Sequence, residues 1–444
     1  MPSPTFYSAL ARAILACQAA ENDIVAHASK TLGRNWRWIR PLARRYIKHF
    51  GSEMRPRRKD VIQFLRADER LAEAHHRYRD EIRIAEWIHE PASMHPVTAA
   101  AGWKIPSIES VGALAEWLEI GSTELEWFAD RKRLCSRKSA PAVSLIAHYS
   151  YRILAKDSGN IRLIEAPKRR LKQIQQKILS SILDKIPAHP AANGFVRQRS
   201  IKTFAAPHAG RRVVLRMDLQ DFFPSIHGAR IPAFFRMAGY PEPVADLLGG
   251  LCMNATPRSL WNMLGRGIDV KRMIEARTLY AWPHLPQGAP TSPALANFCA
   301  YRMDCRLSGL AQSAGAVYTR YADDLAFSGD GAFERSVLRF AAQVAAILNE
   351  EGFTVHFRKT RVMRQGVRQY LAGIVVNEHP NIVRADFDRL KAILTNCVRH
   401  GSQSQNREAH PAFQWHLQGR IAFVESVNPA KGAKLRKLFE QIVW

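Results

Sequence analysis

Helical periodicity dominates both ends of the chain. Apolar residues recur at intervals of three and four over residues 8–32 and 70–90, and again over 384–400 and 411–427. A fifth amphipathic segment, 334–353, closes with a glycine, which is typical of a helix end. Both ends of the chain are therefore predicted to be helical.

The centre of the chain instead shows the patterns of short strands. Those patterns fall in residues 151–169, 211–226, 318–331, 354–366 and 368–377. The first and third are predicted to be hairpins, with turns near residues 157–160 and 322–324. Helices at both ends around a core of short strands predict an α+β fold.

The charge balance favours a polyanionic partner. The 444 residues include 65 lysines and arginines against 39 acidic residues, which gives a formal net charge of +26. Such an excess favours nucleic acid first and an acidic membrane surface second. Trp36, Trp38 and Tyr46 are interleaved with arginines, which suits stacked bases, although the same pattern fits core aromatics on a helix with a solvated basic face.

Cysteine spacing and hydropathy favour a reduced protein without a membrane partner. The six cysteines form no CxxC pair, and none lies near a histidine at zinc-ligand spacing. The N-terminal segment is amphipathic and lacks a basic leader, so it is predicted to be a helix rather than a signal peptide. No apolar run approaches the ~20 residues needed to span a bilayer. A cytoplasmic location is expected.

Two adjacent aspartates interrupt the apolar hairpin at 318–331. Asp323 and Asp324 occupy its turn, and Asp218 ends a predicted strand far upstream. If both strands lie in one sheet, the three carboxylates converge and repel one another unless cations lie between them. Hard divalent cations meet that need, and two Mg²⁺ ions about 4 Å apart support phosphoryl transfer. The pattern predicts a two-metal site for chemistry on phosphates.

Seven sequence boxes follow one another in the order found in reverse transcriptases. They are "GNIRLIEAPKRRLKQIQQKIL", "HPAANGFVRQRSIKTFAAPHAG", "RMDLQDFFPSI", "LPQGAPTSPALANF", "YADD", "EGFTVHFRKT" and "QYLAGIVVN". A later segment, "LQGRIAFVESVNPAKGAKLRKLF", is similar to a retron-type thumb. Over residues 145–444 the chain thus resembles the bacterial retron-type reverse transcriptases, which are RNA-directed DNA polymerases.

The resemblance implies a right-hand polymerase with fingers, an antiparallel-sheet palm and an α-helical thumb. The implied divisions are a helical N-terminal extension at residues 1–140, which is a candidate for RNA binding, the fingers at 141–215, the palm at 216–376 and the thumb at 377–444. Such an enzyme would copy part of a structured noncoding RNA, from dNTPs, into single-stranded DNA that stays linked to the RNA. A role in phage defence with an effector protein is implied as well.

The resemblance also implies roles at the polymerase site. Asp218, Asp323 and Asp324 would be catalytic and hold two Mg²⁺ ions, with the Leu219 carbonyl as a further ligand. Phe223 matches the steric gate, whose ring fills the space of a ribose 2′-OH and so favours dNTPs. Plain core packing is the alternative for Phe223.

Further residues are implied to bind nucleotide: Lys156, Arg162, Gln287, Gly288 and Lys359. A solvated turn lysine is the alternative for Lys156, and an ordinary strand lysine for Lys359. The nucleic acid itself would be contacted by Arg197 and Arg199 at template phosphates and by Tyr321 at the primer end.

Two boxes depart from the retron pattern. Leu371-Ala372-Gly373 stands where Val-Thr-Gly is usual, and Asn254-Ala255 is followed by Arg258 at a position usually held by histidine. Because both boxes are associated with the structured RNA, recognition of a retron RNA is left open. Another bacterial defence or intron-related reverse transcriptase is one alternative, and a nucleic-acid-binding assembly component with a vestigial polymerase site is another.

Overall fold

Helices predominate in the computed structural model, which describes residues 2–52, 56–88, 93–131, 148–155, 161–264 and 269–444. The α-helices within these ranges are α1 Pro4–Leu15, α2 Glu21–Thr31, α3 Ile39–Phe50, α4 Arg58–Ala67, α5 Glu69–Arg77, α6 Val111–Leu118, α7 Ser122–Ala129, α8 Arg169–Ser181, α9 Ile201–Ala205, α10 Phe222–Ser225, α11 Arg230–Met237, α12 Glu242–Cys252, α13 Arg258–Leu264, α14 Val270–Leu279, α15 Ser292–Cys299, α16 Tyr301–Ser313, α17 Gly331–Glu350, α18 Arg384–His400, α19 Phe413–Val427 and α20 Pro429–Phe439. None of these helices is long and apolar enough to cross a membrane.

The strands form three antiparallel sheets. They are β1 Tyr149–Ala155, β2 Ile161–Pro167, β3 Val213–Gln220, β4 Val317–Tyr321, β5 Asp324–Gly329, β6 Thr354–Val355, β7 Arg361–Arg364, β8 Tyr370–Leu371, β9 Ile374–Val375 and β10 Asn381–Ile382. β1 pairs with β2, and β8, β9 and β10 form a small sheet in which β9 is central. In the largest sheet β3 pairs with β5, which pairs with β4, and β3 also pairs with β6 and β7. The predicted mixture of helices and antiparallel sheets is confirmed.

The chain divides into two compact units. The first comprises residues 1–186 and 227–290, and the second comprises residues 187–226 and 291–444. The β1–β2 hairpin belongs to the first unit, and the other two sheets belong to the second.

The N-terminal helices of the first unit enclose a hydrophobic core. Trp36 and Tyr46 are buried in this core, and Trp38 packs against it. Basic residues of the same segment stay at the surface, where Arg44 pairs with Glu21. The segment is therefore a set of core aromatics beside a solvated basic face, and the interpretation of these aromatics as base-stacking residues is wrong.

The helix predicted over residues 70–90 is shorter in the structure. α5 ends at Arg77, and residues 82–88 have no regular structure. In a continued helix the Ala85 amide would bond to a carbonyl of the same helix. Here it donates to the Thr31 carbonyl at the end of α2 instead, at 2.8 Å.

The central strand β3 positions the candidate site. Val213, Val214 and Leu215 are fully buried, as expected for a strand covered on both faces. The strand was predicted to end at Asp218, but it continues to Gln220 because its last two residues pair with β6.

The altered Leu371-Ala372-Gly373 box forms the turn between β8 and β9. Leu371 is fully buried and pairs with Ile374, so the two residues between them, Ala372 and Gly373, form the loop. Both have positive φ, 43° for Ala372 and 94° for Gly373, as a tight primed turn requires. Glycine adopts this conformation freely, whereas alanine is strained in it.

His208 links two strands of the large sheet from a fully buried position. One ring nitrogen lies 2.7 Å from Ser328 Oγ of β5, and the other lies 2.8 Å from Thr319 Oγ1 of β4. Burial, with a smaller contribution from the charge of Arg211, lowers the pKa of His208 to about 3. The imidazole is therefore neutral in the folded protein at physiological pH.

This histidine should make the second unit sensitive to mild acid. Between pH 6.5 and about 3 the unfolded chain binds a proton that the folded chain does not, so stability falls as pH falls through that window. Lowering the pH from 7.5 to 5 should cost wild-type protein about 2 kcal/mol more than it costs His208→Gln, which does not titrate. Urea unfolding at the two pH values measures the difference. Equal losses in the two proteins would contradict the assignment.

Candidate active site

The large sheet brings the predicted carboxylates to one place. Asp218 of β3 and Asp324 of β5 are directly opposite each other in the antiparallel pair. Asp323 lies in the two-residue turn between β4 and β5, and its carbonyl accepts a hydrogen bond from the Leu219 amide at 2.9 Å. Cβ atoms of directly opposite residues lie about 5 Å apart, so these side chains share one site.

Two of the three carboxylates are paired with side-chain cations. Lys359 Nζ lies 3.1 and 3.0 Å from the two carboxylate oxygens of Asp218. The Arg216 guanidinium donates to both oxygens of Asp324 at 2.7 to 3.0 Å. Lys359 lies in the 3₁₀ turn Phe357–Lys359 and touches the site, so its interpretation as an ordinary strand lysine is wrong.

Arg216 is a site residue that the sequence analysis missed. It lies two residues before Asp218 on β3 and opposite Ala326, which is two residues after Asp324. Because side chains alternate along a strand, Arg216 and Asp218 share one face of the sheet, and this alternation was the available signal. The Arg216 guanidinium compensates the charge of an aspartate whose side chain is only 18% exposed.

Burial and mutual repulsion make two of the carboxylates reluctant to ionise. Burial raises the pKa of Asp323, and the charge of Asp218 raises it further. Burial also raises the pKa of Asp324, and together with the charge of Asp218 it outweighs the lowering by the nearby cations, so the net shift is upward. Binding of further positive charge therefore lowers the electrostatic free energy of such a site.

The carboxylate oxygens of Asp218, Asp323 and Asp324 are of the chemical type that hard divalent cations prefer, although they are not yet arranged as metal ligands. Within the described ranges, no group of three or more His, Cys, Asp or Glu side chains is arranged to hold a metal ion. Asp218 and Asp324 use their oxygens for Lys359 and Arg216 instead. Carboxylate oxygens are the ligands that Mg²⁺ prefers, so the residue types suit such an ion. The identity of the ion and the number of ions stay predictions.

Three aromatic residues belong to segments that adjoin the aspartates. Phe223 is half-buried in α10, directly after β3, and Tyr321 ends β4 opposite Asp324. Between them lies Phe195, which the sequence analysis did not single out. The Phe195 ring centroid lies 6.2 Å from that of Phe223 and 6.3 Å from that of Tyr321. The alternative interpretation of Phe223 as a core-packing residue requires an enclosed ring, whereas the observed ring is only half-buried.

The two arginines predicted to contact template phosphates differ in their surroundings. Arg197 is exposed. Arg199 is half-buried, and its Nη1 donates to the carbonyls of Pro190 and Ala192, at 2.7 Å for the latter. Arg199 therefore holds the loop that carries it, and its phosphate contact, like that of Arg197, stays a prediction.

The remaining nucleotide candidates belong to the first unit, except Lys156, which lies outside the described residues. Arg162 is exposed on β2. The Gln287 carbonyl accepts from the Glu165 amide at 2.9 Å, and a Cβ at Gly288, where φ is +134°, would lie 2.9 Å from the Glu165 carbonyl oxygen. Glycine is thus needed here for close packing against β2. Nucleotide contacts for these residues stay predictions.

The altered Asn254-Ala255 box joins a buried polar network in the first unit. The Asn254 side-chain amide and the Thr256 hydroxyl both donate to Glu165 Oε1, at 2.8 and 2.9 Å. His284 Nε2 lies 2.7 Å from the other oxygen. Burial lowers the pKa of His284, but the Glu165 carboxylate raises it by more, so the net shift is upward. Asn254 therefore faces a structural partner inside the protein.

Comparisons with known proteins agree with this geometry. A family model described as reverse transcriptase (RNA-dependent DNA polymerase) matches residues 154–376. The chain is 43% identical to Retron Mx65 reverse transcriptase of Myxococcus xanthus, over 66% of this chain and 64% of that protein. It is 34% identical to Retron Mx162 reverse transcriptase of the same species, over 79% of this chain and 70% of that protein. Retron Ec86 reverse transcriptase of Escherichia coli is 29% identical over 65% of this chain and 80% of its own length.

Proposed function

Because this chain belongs to the reverse transcriptase family, the RNA-dependent DNA polymerases, we propose that it acts as a retron-type RNA-directed DNA polymerase. One observation carries the proposal: Asp218 and Asp324 lie opposite each other on β3 and β5, with Asp323 in the adjoining turn. Acidic groups held this close together, against the cost of burial, are suited to binding divalent cations, and the bound cations can in turn bind phosphate oxygens.

The chemistry follows from the charges at this place. Divalent cations bound here would supply the positive charge that aligns and stabilises the oxygens of a phosphoryl transfer. Asp218, Asp323 and Asp324 would hold them, with the Leu219 carbonyl as a further ligand. Arg216 orients Asp324 through both of its oxygens. Lys359, released from Asp218, would turn its ammonium group toward the leaving phosphate.

The resemblance of the sequence boxes to those of retron-type reverse transcriptases extends the proposal to the template, the substrates, the product and a biological role. A structured noncoding RNA would be the template, dNTPs the substrates and an RNA-linked single-stranded DNA the product, with a role in phage defence beside an effector protein. An RNA-binding extension would occupy residues 1–140, the fingers 141–215, the palm 216–376 and the thumb 377–444.

Polymerisation by the purified protein tests the proposal. The RNA that co-purifies with the protein is sequenced, resynthesised and incubated with the protein, labelled dNTPs and Mg²⁺. We expect labelled DNA from the wild type and none from the Asp323→Ala/Asp324→Ala variant. Equal synthesis by both proteins, or RNA binding without any incorporation by the wild type, would reject the proposal, and the second result would favour a nucleic-acid-binding component.

Replacing the candidate steric gate should relax the choice of sugar. In Phe223→Ala the half-buried ring is lost, which frees space for a ribose 2′-OH. We expect the kcat/KM for rNTPs relative to dNTPs to rise roughly 10- to 200-fold, the usual range for a small steric difference in an apolar pocket. Phe223→Tyr keeps the ring and should retain discrimination. An unchanged ratio in Phe223→Ala would assign the ring to packing alone.

A further inference from the structure

Phe195 combines a backbone conformation that is unusual for a bulky aromatic residue with a largely exposed ring. Its φ is +61°, in the left-handed region that bulky side chains avoid. Its side chain is also 53% exposed, so burial of the ring offers little compensation for that strain. Strain of this kind persists where the surrounding structure fixes the backbone, and it concentrates at functional sites.

The backbone before Phe195 is fixed directly against the aspartate turn. Gly194 lies so close to that turn that a Cβ would be 2.5 Å from the Ala322 amide nitrogen. The Asn297 side chain donates to the Gly194 carbonyl at 2.9 Å, and the Asn193 amide donates to the Arg320 carbonyl at 2.7 Å. The backbone that leads into Phe195 is therefore held on the turn that carries Asp323.

The conformation forced on Phe195 places its ring between two side chains of the candidate site. The ring lies beside both Phe223 and Tyr321, at nearly equal centroid distances of 6.2 and 6.3 Å. The interplanar angles of 58° and 36° describe tilted pairs, and both centroid distances lie within the roughly 4.5–7 Å at which aromatic rings interact. Phe195 thus supports Phe223 from the side of the aspartate turn.

We infer that Phe195 is a positioning residue that holds the Phe223 ring in the orientation that excludes a ribose 2′-OH. The inference rests on the proposed polymerase function and deepens it, because it places part of the sugar specificity in the loop before α9. Without the Phe195 ring, Phe223 can rotate into the space that opens, and a ribose hydroxyl can enter. Asp218 and Asp324 keep their contacts with Lys359 and Arg216, so the chemical step is expected to change less than the selection of the nucleotide.

A set of substitutions at residue 195 separates the ring from the backbone strain. Phe195→Ala removes the ring and keeps the strain, whereas Phe195→Gly removes both, since glycine adopts positive φ freely. Both should raise the rNTP/dNTP ratio of kcat/KM by roughly 3- to 10-fold, the range expected from one lost aromatic pair. Phe195→Tyr should restore the wild-type ratio. Leu338→Ala, which removes another exposed apolar side chain in the same unit, should leave it unchanged.

A double-variant cycle tests whether Phe195 acts through Phe223. If it does, Phe195→Ala adds no further relaxation in a Phe223→Ala background, because the ring to be positioned is already absent. Urea unfolding should show Phe195→Gly to be more stable than Phe195→Ala, which confirms that both variants are folded and that the strain is real.

The outcomes distinguish this inference from the proposed function. Absence of DNA synthesis by the wild type overturns the function and this inference together. Synthesis with an unchanged sugar ratio in Phe195→Ala, an equal fall of kcat/KM for both nucleotides, or effects that add to those of Phe223→Ala would each overturn the inference alone.

Discussion

Asp323→Asn should abolish DNA synthesis and at the same time make the protein harder to unfold. Burial and the charge of Asp218 raise the pKa of Asp323, so its ionised form at pH 7.5 costs folding free energy that the unfolded chain does not pay. An amide of the same shape removes that cost. Loss of a charged group at the reaction centre should reduce the rate by roughly 10³-fold or more. Urea unfolding in EDTA and primer extension in Mg²⁺ measure the two effects.

Asp330→Asn is the matched control for this prediction. Asp330 follows the opposite end of β5 and pairs with Arg211 at the surface, where its side chain is 57% exposed. We expect unchanged synthesis and a stability change within about 0.5 kcal/mol. Adding Mg²⁺ should stabilise the wild type against urea more than it stabilises Asp323→Asn, because a ligand that binds only the folded state adds stability. Lower stability of Asp323→Asn in EDTA would disprove the repulsion argument, whatever the activity.

The features that local sequence determines were predicted well. The predicted hairpin around "YADD" is present, although Asp324 begins β5 opposite Tyr321 and leaves only Ala322 and Asp323 in the turn. The predicted helix over 384–400 is present as α18. The assignment to retron-type reverse transcriptases is confirmed by the family match and the relatives. Periodicity, turn residues and motif order all lie within short stretches of chain, so one sequence is enough to show them.

The features that the sequence analysis missed depend on which strands meet and in what register. Arg216 reaches Asp324 only because β3 pairs with β5 in the observed register. The role of Phe195 requires Gly194 to lie on the turn at Ala322, far along the chain. The family motifs indicate the positions of the carboxylates and of Lys359, but not those of Arg216 and Phe195. Those partners are set by tertiary packing, which leaves no local periodicity.

Breaking the buried ion pair behind the aspartate turn should destabilise the second unit severely. Arg320 donates to both oxygens of Asp304, at 2.6 and 2.8 Å, and both side chains are fully buried. Asp304→Asn leaves the guanidinium buried without a counter-charge, which should cost about 3–5 kcal/mol in urea unfolding. Asp388→Asn, which breaks an exposed pair with Arg384, should change stability by less than about 0.5 kcal/mol.

Replacing both partners should separate the stability of this pair from its role at the site. Arg320→Met/Asp304→Val removes both buried charges, so at least half of the stability lost in Asp304→Asn should return. Synthesis should not return with it. Arg320 Nη1 also donates to the Ala322 carbonyl and to Asn297 Oδ1, both at 3.0 Å, and methionine cannot hold the turn that carries Asp323. Full activity in the doubly substituted protein would show that packing alone places the turn, and that the guanidinium contacts are dispensable.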